Sequence, residues 1–218
     1  MNYNLIKDLL DSVEKFEKGN AMGPAAHIED FKRWIAVSYY SENVANEPDW
    51  EGKGNGRSAE SVISTLIVHM NRYAKSYSKS AIFGSDFSSQ DDFIFLINLK
   101  AFGEMTKMDL IKKNVQEKPV GMQIINRLIA KGWVDQKASE TDKRSKVLKI
   151  SSAGIQVLED QMDKIRKATE IVTGDLTRHE KMELIRLLNK LNDFHKPIYD
   201  KNIEPGCLLT EVLKGKNQ

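Results

Sequence analysis

Apolar residues recur at helical spacing along most of this chain, and the places where that rhythm fails are its punctuation. Leu5, Ile6, Leu9, Leu10, Val13 and Phe16 share one face of a predicted helix over residues 4–18. Ile28, Phe31, Ile35 and Tyr39 do the same over 26–40. Residues 42–57 contain Pro48 and glycines 52, 54 and 56 with few apolar positions, which predicts a linker. Ser58 then stands where it can cap a long helix reaching Ser80, with Val62, Ile63, Leu66, Ile67, Met70, Tyr73 and Tyr77 facing inward. Ser88 or Ser89 can cap the next helix. Its stretch from Phe93 to Leu99 is apolar nearly all round and so belongs at the centre of the fold.

Between residues 104 and 154 the rhythm changes. Thr106 can cap a short helix carrying Met108, Leu110 and Ile111, and Asn114 and Val115 make a turn. Pro119 sits in the first turn of a second helix, where its missing N–H costs nothing. Ile124, Ile125, Leu128 and Ile129 give that helix a buried stripe, and Gly132 ends it. Trp133 and Val134 open a strand, residues 139–146 form a polar tip, and residues 147–151 return as a second strand. Helix, turn, helix and hairpin in this order predict a winged helix-turn-helix, mainly α with a small β wing. Beyond it, Ile155, Leu158, Met162, Ile165 and Val172 mark another long helix. Thr177 and Glu180 form a capping box for the last one, which carries Leu184, Ile185, Leu187, Leu188, Leu191 and Phe194. Pro197 is expected to stop it, leaving residues 198–218 as a tail with a short amphipathic piece around Leu208 to Leu213.

Arg127-Leu128, then Lys131-Gly132, then Asp142-x-Arg144, then Ile150-Ser151 and Gly154 follow one another at set intervals. In that arrangement the segment resembles the MarR family of bacterial transcription regulators, over about residues 58–195. The chain then divides into an N-terminal helical extension (1–45), a linker (46–57), a MarR-like regulator domain (58–195) and a C-terminal tail (196–218). The resemblance implies a helical dimerisation region in which terminal helices interlock into a two-fold homodimer. A pair of helices as small as residues 1–45 cannot bury its own stripes well, so it should pack on the main body or on a second subunit.

Composition narrows the function classes. The chain has 218 residues, 40% of them hydrophobic, and no apolar run near the roughly 18 residues that span a bilayer. Met1 to Leu10 carries Lys7 and Asp8 without a cleavage pattern, so no signal peptide is expected. Cys207 stands alone, which excludes an internal disulfide and fits a cytoplasmic location. Net charge is only +2, yet eleven Lys and Arg face six acidic residues between Glu104 and Lys149. That basic surplus lies where a duplex would lie, and it is also the kind of charge that ordinary solvated surfaces carry.

Base edges in the major groove are read from near the N-terminus of an inserted helix. The outward positions there are Lys118, Val120, Met122, Gln123, Asn126 and Arg127. Gln123 suits an adenine edge, Val120 and Met122 suit thymine methyls, and Lys118 and Arg127 suit phosphates. Near the start of this helix the family commonly carries a Ser or Thr, whereas Pro119, Val120 and Gly121 stand here; Gly121 either permits close approach of backbone to phosphate or marks a later start of the helix. In the wing, Arg144 suits a narrow minor groove with Asp142 bracing it, and Lys143 and Lys146 suit phosphates. Tyr73, Tyr77 and Phe87 lie where the family's aromatic effectors bind, and the same residues read equally as core.

Histidines 27, 69, 179 and 195 are scattered, so no metal is expected; no cofactor loop or nucleophile–base pair is present, so neither is an enzyme. The leading expectation is a sequence-specific, double-stranded-DNA-binding regulator, a repressor at palindromic operators. The alternative is an interaction module on a winged-helix scaffold, its N-terminal helices recruiting another protein.

Overall fold

The computed structural model describes residues 2–19, 27–44, 48–138 and 146–216. The chain divides into two compact units, Met1–Ile63 and Ser64–Gln218.

In the first unit, helices α1 (Tyr3–Gly19) and α2 (Ile28–Val44) are joined by aromatic packing. Phe16 is buried, with its ring 5.4 Å from that of Phe31 and 5.6 Å from that of Trp34. The remaining apolar face of α1, Leu5, Ile6, Leu9 and Leu10, is exposed. The glycine-rich stretch expected to be a plain linker folds on itself instead. Trp50 donates from Nε1 to the Arg57 carbonyl (2.8 Å), closing a loop around the 3-10 turn Lys53–Asn55. Gly52 (φ 85°) and Gly56 (φ 82°) adopt the left-handed conformation at its two ends, which is why glycine stands at both.

Helix α3 (Ala59–Ala81) starts where Ser58 accepts the Ser61 N–H in the expected cap. Of the residues expected to point inward from it, Val62 is half-buried, whereas Ile63, Leu66, Ile67, Met70, Tyr73 and Tyr77 are exposed on this chain.

The second unit is built around α4 (Gln90–Phe102), whose Phe93, Phe95, Leu96 and Leu99 are buried, as its all-round apolar character predicts. Against it pack Leu110 and Ile111 of α5 (Lys107–Lys113), Ile124, Ile125 and Leu128 of α6 (Lys118–Ala130), and Leu158 and Ile165 of α7 (Ser152–Thr173). Three antiparallel strands close the core in the order β1-β3-β2, where β1 is Met105–Thr106, β2 Val134–Ala138 and β3 Lys146–Ile150. The hairpin register pairs Val134 with Ile150 and Ala138 with Lys146. Strand β1 was not foreseen; two residues are too few to show alternation, and they become a strand only because Leu148 and Val147 of β3 lie opposite.

Helix α8 (Arg178–Asp200) begins with the expected capping box: Thr177 accepts the Glu180 N–H, and Glu180 accepts the Thr177 N–H (2.7 Å). It does not stop at Pro197. A proline removes one N–H and frees the carbonyl of residue 193, and on an exposed helix water can take that carbonyl. A further helix, α9 (Pro205–Lys216), contains the short piece expected around Leu208 to Leu213 and extends beyond it at both ends. Among the described residues, no helix is long and apolar enough to cross a membrane.

Candidate nucleic-acid interface

Helix α5, the turn after it and helix α6 form one rigid block. Thr106 caps α5 by accepting the Asp109 N–H (3.1 Å), while its hydroxyl donates to the Asp109 carboxylate (2.7 Å). Val115 takes a positive φ of 50° in the turn, a conformation that costs a β-branched residue energy. Side chains on both flanks hold that turn. Asn98 of α4 donates to Asn114 (2.7 Å), Asn114 donates to the Leu110 carbonyl (2.7 Å), and Gln116 donates to Asp91 (3.3 Å). From the last turn of α8, the Tyr199 hydroxyl donates to the Gln116 carbonyl (2.7 Å). Burial pushes the Tyr199 phenol above its ordinary range.

Close contact between α5 and α6 depends on Gly121. A Cβ there would lie 2.5 Å from Cγ1 of Ile111. The glycine therefore serves helix packing, not approach to phosphate, and α6 does not start late: Lys118 is its first residue and Glu117 its cap. The far end of α6 closes as a Schellman motif, in which Gly132 (φ 72°) donates to Ile129 (2.9 Å) and Trp133 donates to Leu128 (3.0 Å). Ser151 joins this end to the next element, since its hydroxyl donates to the Gly132 carbonyl (2.6 Å) and accepts the Gly154 N–H (3.0 Å).

The six α6 positions expected to face outward do not behave alike. Lys118, Val120, Gln123 and Asn126 are exposed, and Lys107 Nζ lies 3.5 Å from Oδ1 of Asn126. Met122 is instead half-buried against the core, because its position on the helix turns it toward the hydrophobic cluster. Arg127 is also a correction. Its Nε donates to Oδ1 of Asp92 (3.0 Å), its Nη2 reaches the same oxygen, and Nη2 also lies 3.4 Å from the Ser89 hydroxyl. Asp92 is fully buried and accepts the Ser88 N–H at its other oxygen (2.7 Å). Arg127 is thus committed to α4, and a phosphate would have to compete with a buried carboxylate for it.

Sequence reasoning missed Asp92, whose neighbours Phe93 and Ile94 make it look like a polar residue at the start of an apolar helix. The signal was available: an acid in a first turn, followed by an apolar run, often accepts a backbone N–H. Its arginine partner lies 35 positions away.

Beside α6, the β2–β3 hairpin carries Lys137, Lys146 and Lys149. Lys137 and Lys149 reach Glu104 at 3.0 and 3.8 Å, whereas Lys146 is exposed at the start of β3. Asp142, Lys143 and Arg144 lie outside the described residues.

The three aromatic residues considered for an effector separate. Phe87 is core, edge-on to Trp133 (5.2 Å) and Phe93 (6.1 Å), while Tyr73 and Tyr77 are exposed on α3. Among the described residues, no group of three His, Cys, Asp or Glu could hold a metal ion.

Comparison with known proteins finds similar chains. Residues 85–145 match the model of the MarR family. The HTH-type transcriptional repressor NicR of Pseudomonas putida is 25% identical over 101 residues, 46% of this chain, which spans 64% of that relative's length. Among solved structures, E. coli MarR complexed with operator DNA covers 59% of this chain and 92% of its own (TM-score 0.55, 22% identity). The organohalide-sensing regulator RdhR-CbdbA1625, bound to 2,4-dichlorophenol, covers 70% of this chain and 88% of its own (TM-score 0.59, 20% identity). At these identities the structural likenesses carry the fold. The segment over residues 85–145 is thus similar to the MarR family.

Proposed function

We propose that the protein is a sequence-specific DNA-binding transcription regulator that acts as a homodimer, a repressor at palindromic operators. One observation carries the reading: α6 is clamped to α4 through Arg127 and Asp92, with Lys118, Val120, Gln123 and Asn126 presented outward beside a basic hairpin. A helix held this firmly with a polar outer stripe is what major-groove reading requires. NicR is named a repressor, and the E. coli MarR structure contains operator DNA, which favours the same role here.

Dimerisation is favoured by α8, which buries no residue yet exposes Met182, Leu184, Ile185, Leu187, Leu188, Leu191 and Phe194. So large an apolar face on one helix calls for a partner. Two copies would place two α6 helices in successive major grooves, about one helical turn apart, with Arg144 of each wing in the minor groove. The phenol-bound RdhR-CbdbA1625 suggests an aromatic effector, and Tyr73 and Tyr77 are exposed aromatic residues of α3 that could meet one.

Selection of bound fragments from sheared genomic DNA, with sedimentation of the complex, tests the proposal. It predicts two copies on a palindrome and a loss of about 1–3 kcal/mol of binding in Arg144→Ala. A monomer without duplex preference at low salt would overturn it.

A further inference from the structure

The outer stripe of α6 is chemically one-sided. Val120, Gln123 and Asn126 follow one another at three-residue spacing, so they lie along one face of the helix, and all three are exposed. A valine methyl complements the thymine methyl, and the amides of Gln and Asn complement the paired acceptor and donor of adenine. Guanine is read chiefly by Arg or Lys through its two acceptors. The single arginine of α6, Arg127, is drawn off this face by Asp92, and Lys131, at the C-terminal cap, is bonded to the Asp86 carbonyl and lies over the Trp133 ring (4.5 Å). Lys118, the first residue of α6, and Lys107 of α5, whose Nζ lies 3.5 Å from Oδ1 of Asn126, remain, and both suit phosphates at the flank of this stripe.

We infer that α6 reads A·T base pairs, so that each operator half-site has an A·T-rich centre where this helix lies, with adenine opposite Gln123. The buried Asp92 therefore contributes to specificity without touching DNA: by holding Arg127 it withholds the guanine-reading group of the helix. This inference rests on the DNA-binding reading above and adds the sequence class of the target.

Selection from a randomised duplex library with the full-length protein tests it, run in parallel with Gln123→Arg. The expected result for the natural chain is a two-fold symmetric consensus whose α6-covered positions are A·T. Gln123→Arg should change one symmetric position from adenine to guanine, with discrimination on the order of 10- to 100-fold. Because residue 123 is exposed, the variant should melt with the natural protein, and a matched thermal scan checks this. Enrichment of G·C pairs at the α6-covered positions, or a consensus that Gln123→Arg leaves unchanged, would overturn the inference and leave DNA binding standing. No enrichment of any sequence would overturn both.

Discussion

The Asp92 carboxylate holds the guanidinium of Arg127 on one oxygen and the Ser88 N–H on the other, so a single buried acid both starts helix α4 and fixes helix α6 against it. Its worth can be separated from its geometry. Arg127→Ala strands a fully buried carboxylate and should cost about 3–5 kcal/mol in urea unfolding. Asp92→Ala leaves a cation whose side chain is one-third exposed, so water recovers part of the loss and about 2–3 kcal/mol is expected. Equal costs for the two would show that the burial asymmetry is irrelevant.

Two glycines set how closely elements approach, and replacing them should differ in severity. At Gly121 an added methyl meets the Ile111 side chain at 2.5 Å, and the gain of about 1 kcal/mol in helix propensity is outweighed by about 1–3 kcal/mol of overpacking. At Gly154 it meets the Trp133 carbonyl oxygen at 2.2 Å, which cannot rotate away. Thermal unfolding should therefore show Gly154→Ala melting lower than Gly121→Ala, and Ile111→Ala, which removes Cγ1 and Cγ2 together with Cδ1, should relieve the clash only in the latter.

Tyr199 ties the end of α8 to the turn that precedes α6. Tyr199→Phe keeps the ring and removes the donor to Gln116, a loss of about 0.5–1.5 kcal/mol. Amide exchange in the turn should accelerate around Val115 and Gln116 more than in β2. An unchanged pattern would mean that the hydroxyl does not restrain the turn.

The capping box of α8 should make the stability of that helix pH-dependent. Hydrogen bonds from the Thr177 backbone and hydroxyl hold the Glu180 carboxyl below its usual range. A depressed folded pKa contributes stability above the unfolded value of 4.5 and loses it as pH falls through the folded value. Helical signal from α8 should decline below about pH 4.5, and Glu180→Gln should flatten that part of the profile. A profile identical in the two proteins would remove Glu180 from the account.

The exposed face of α8 gives a direct test of assembly. Leu188→Glu places a charge in the middle of that face and should convert a dimer to a monomer in sedimentation without unfolding the second unit's core, to which α8 contributes no buried residue. A dimer that survives the change would place the interface elsewhere.

Local signals settled much of this molecule. The all-round apolar run of α4, the periodic stripe of α6, the Thr106 and Thr177 caps, the turn at Asn114 and Val115 and the stop at Gly132 all follow from neighbours within a few residues, because propensity, capping and turn geometry act at that range. What depended on distant partners was hidden. The strand at Met105 exists only through β3, Gly121 matters only because Ile111 is opposite, and Arg127 turns away from the outer face only because Asp92 is buried beneath it. Helical periodicity names the residues on a flank of α6 but does not say which neighbouring element will claim them. That choice is made by desolvation: a carboxylate buried in the core must find its cation, and folding brings Arg127 within reach of Asp92.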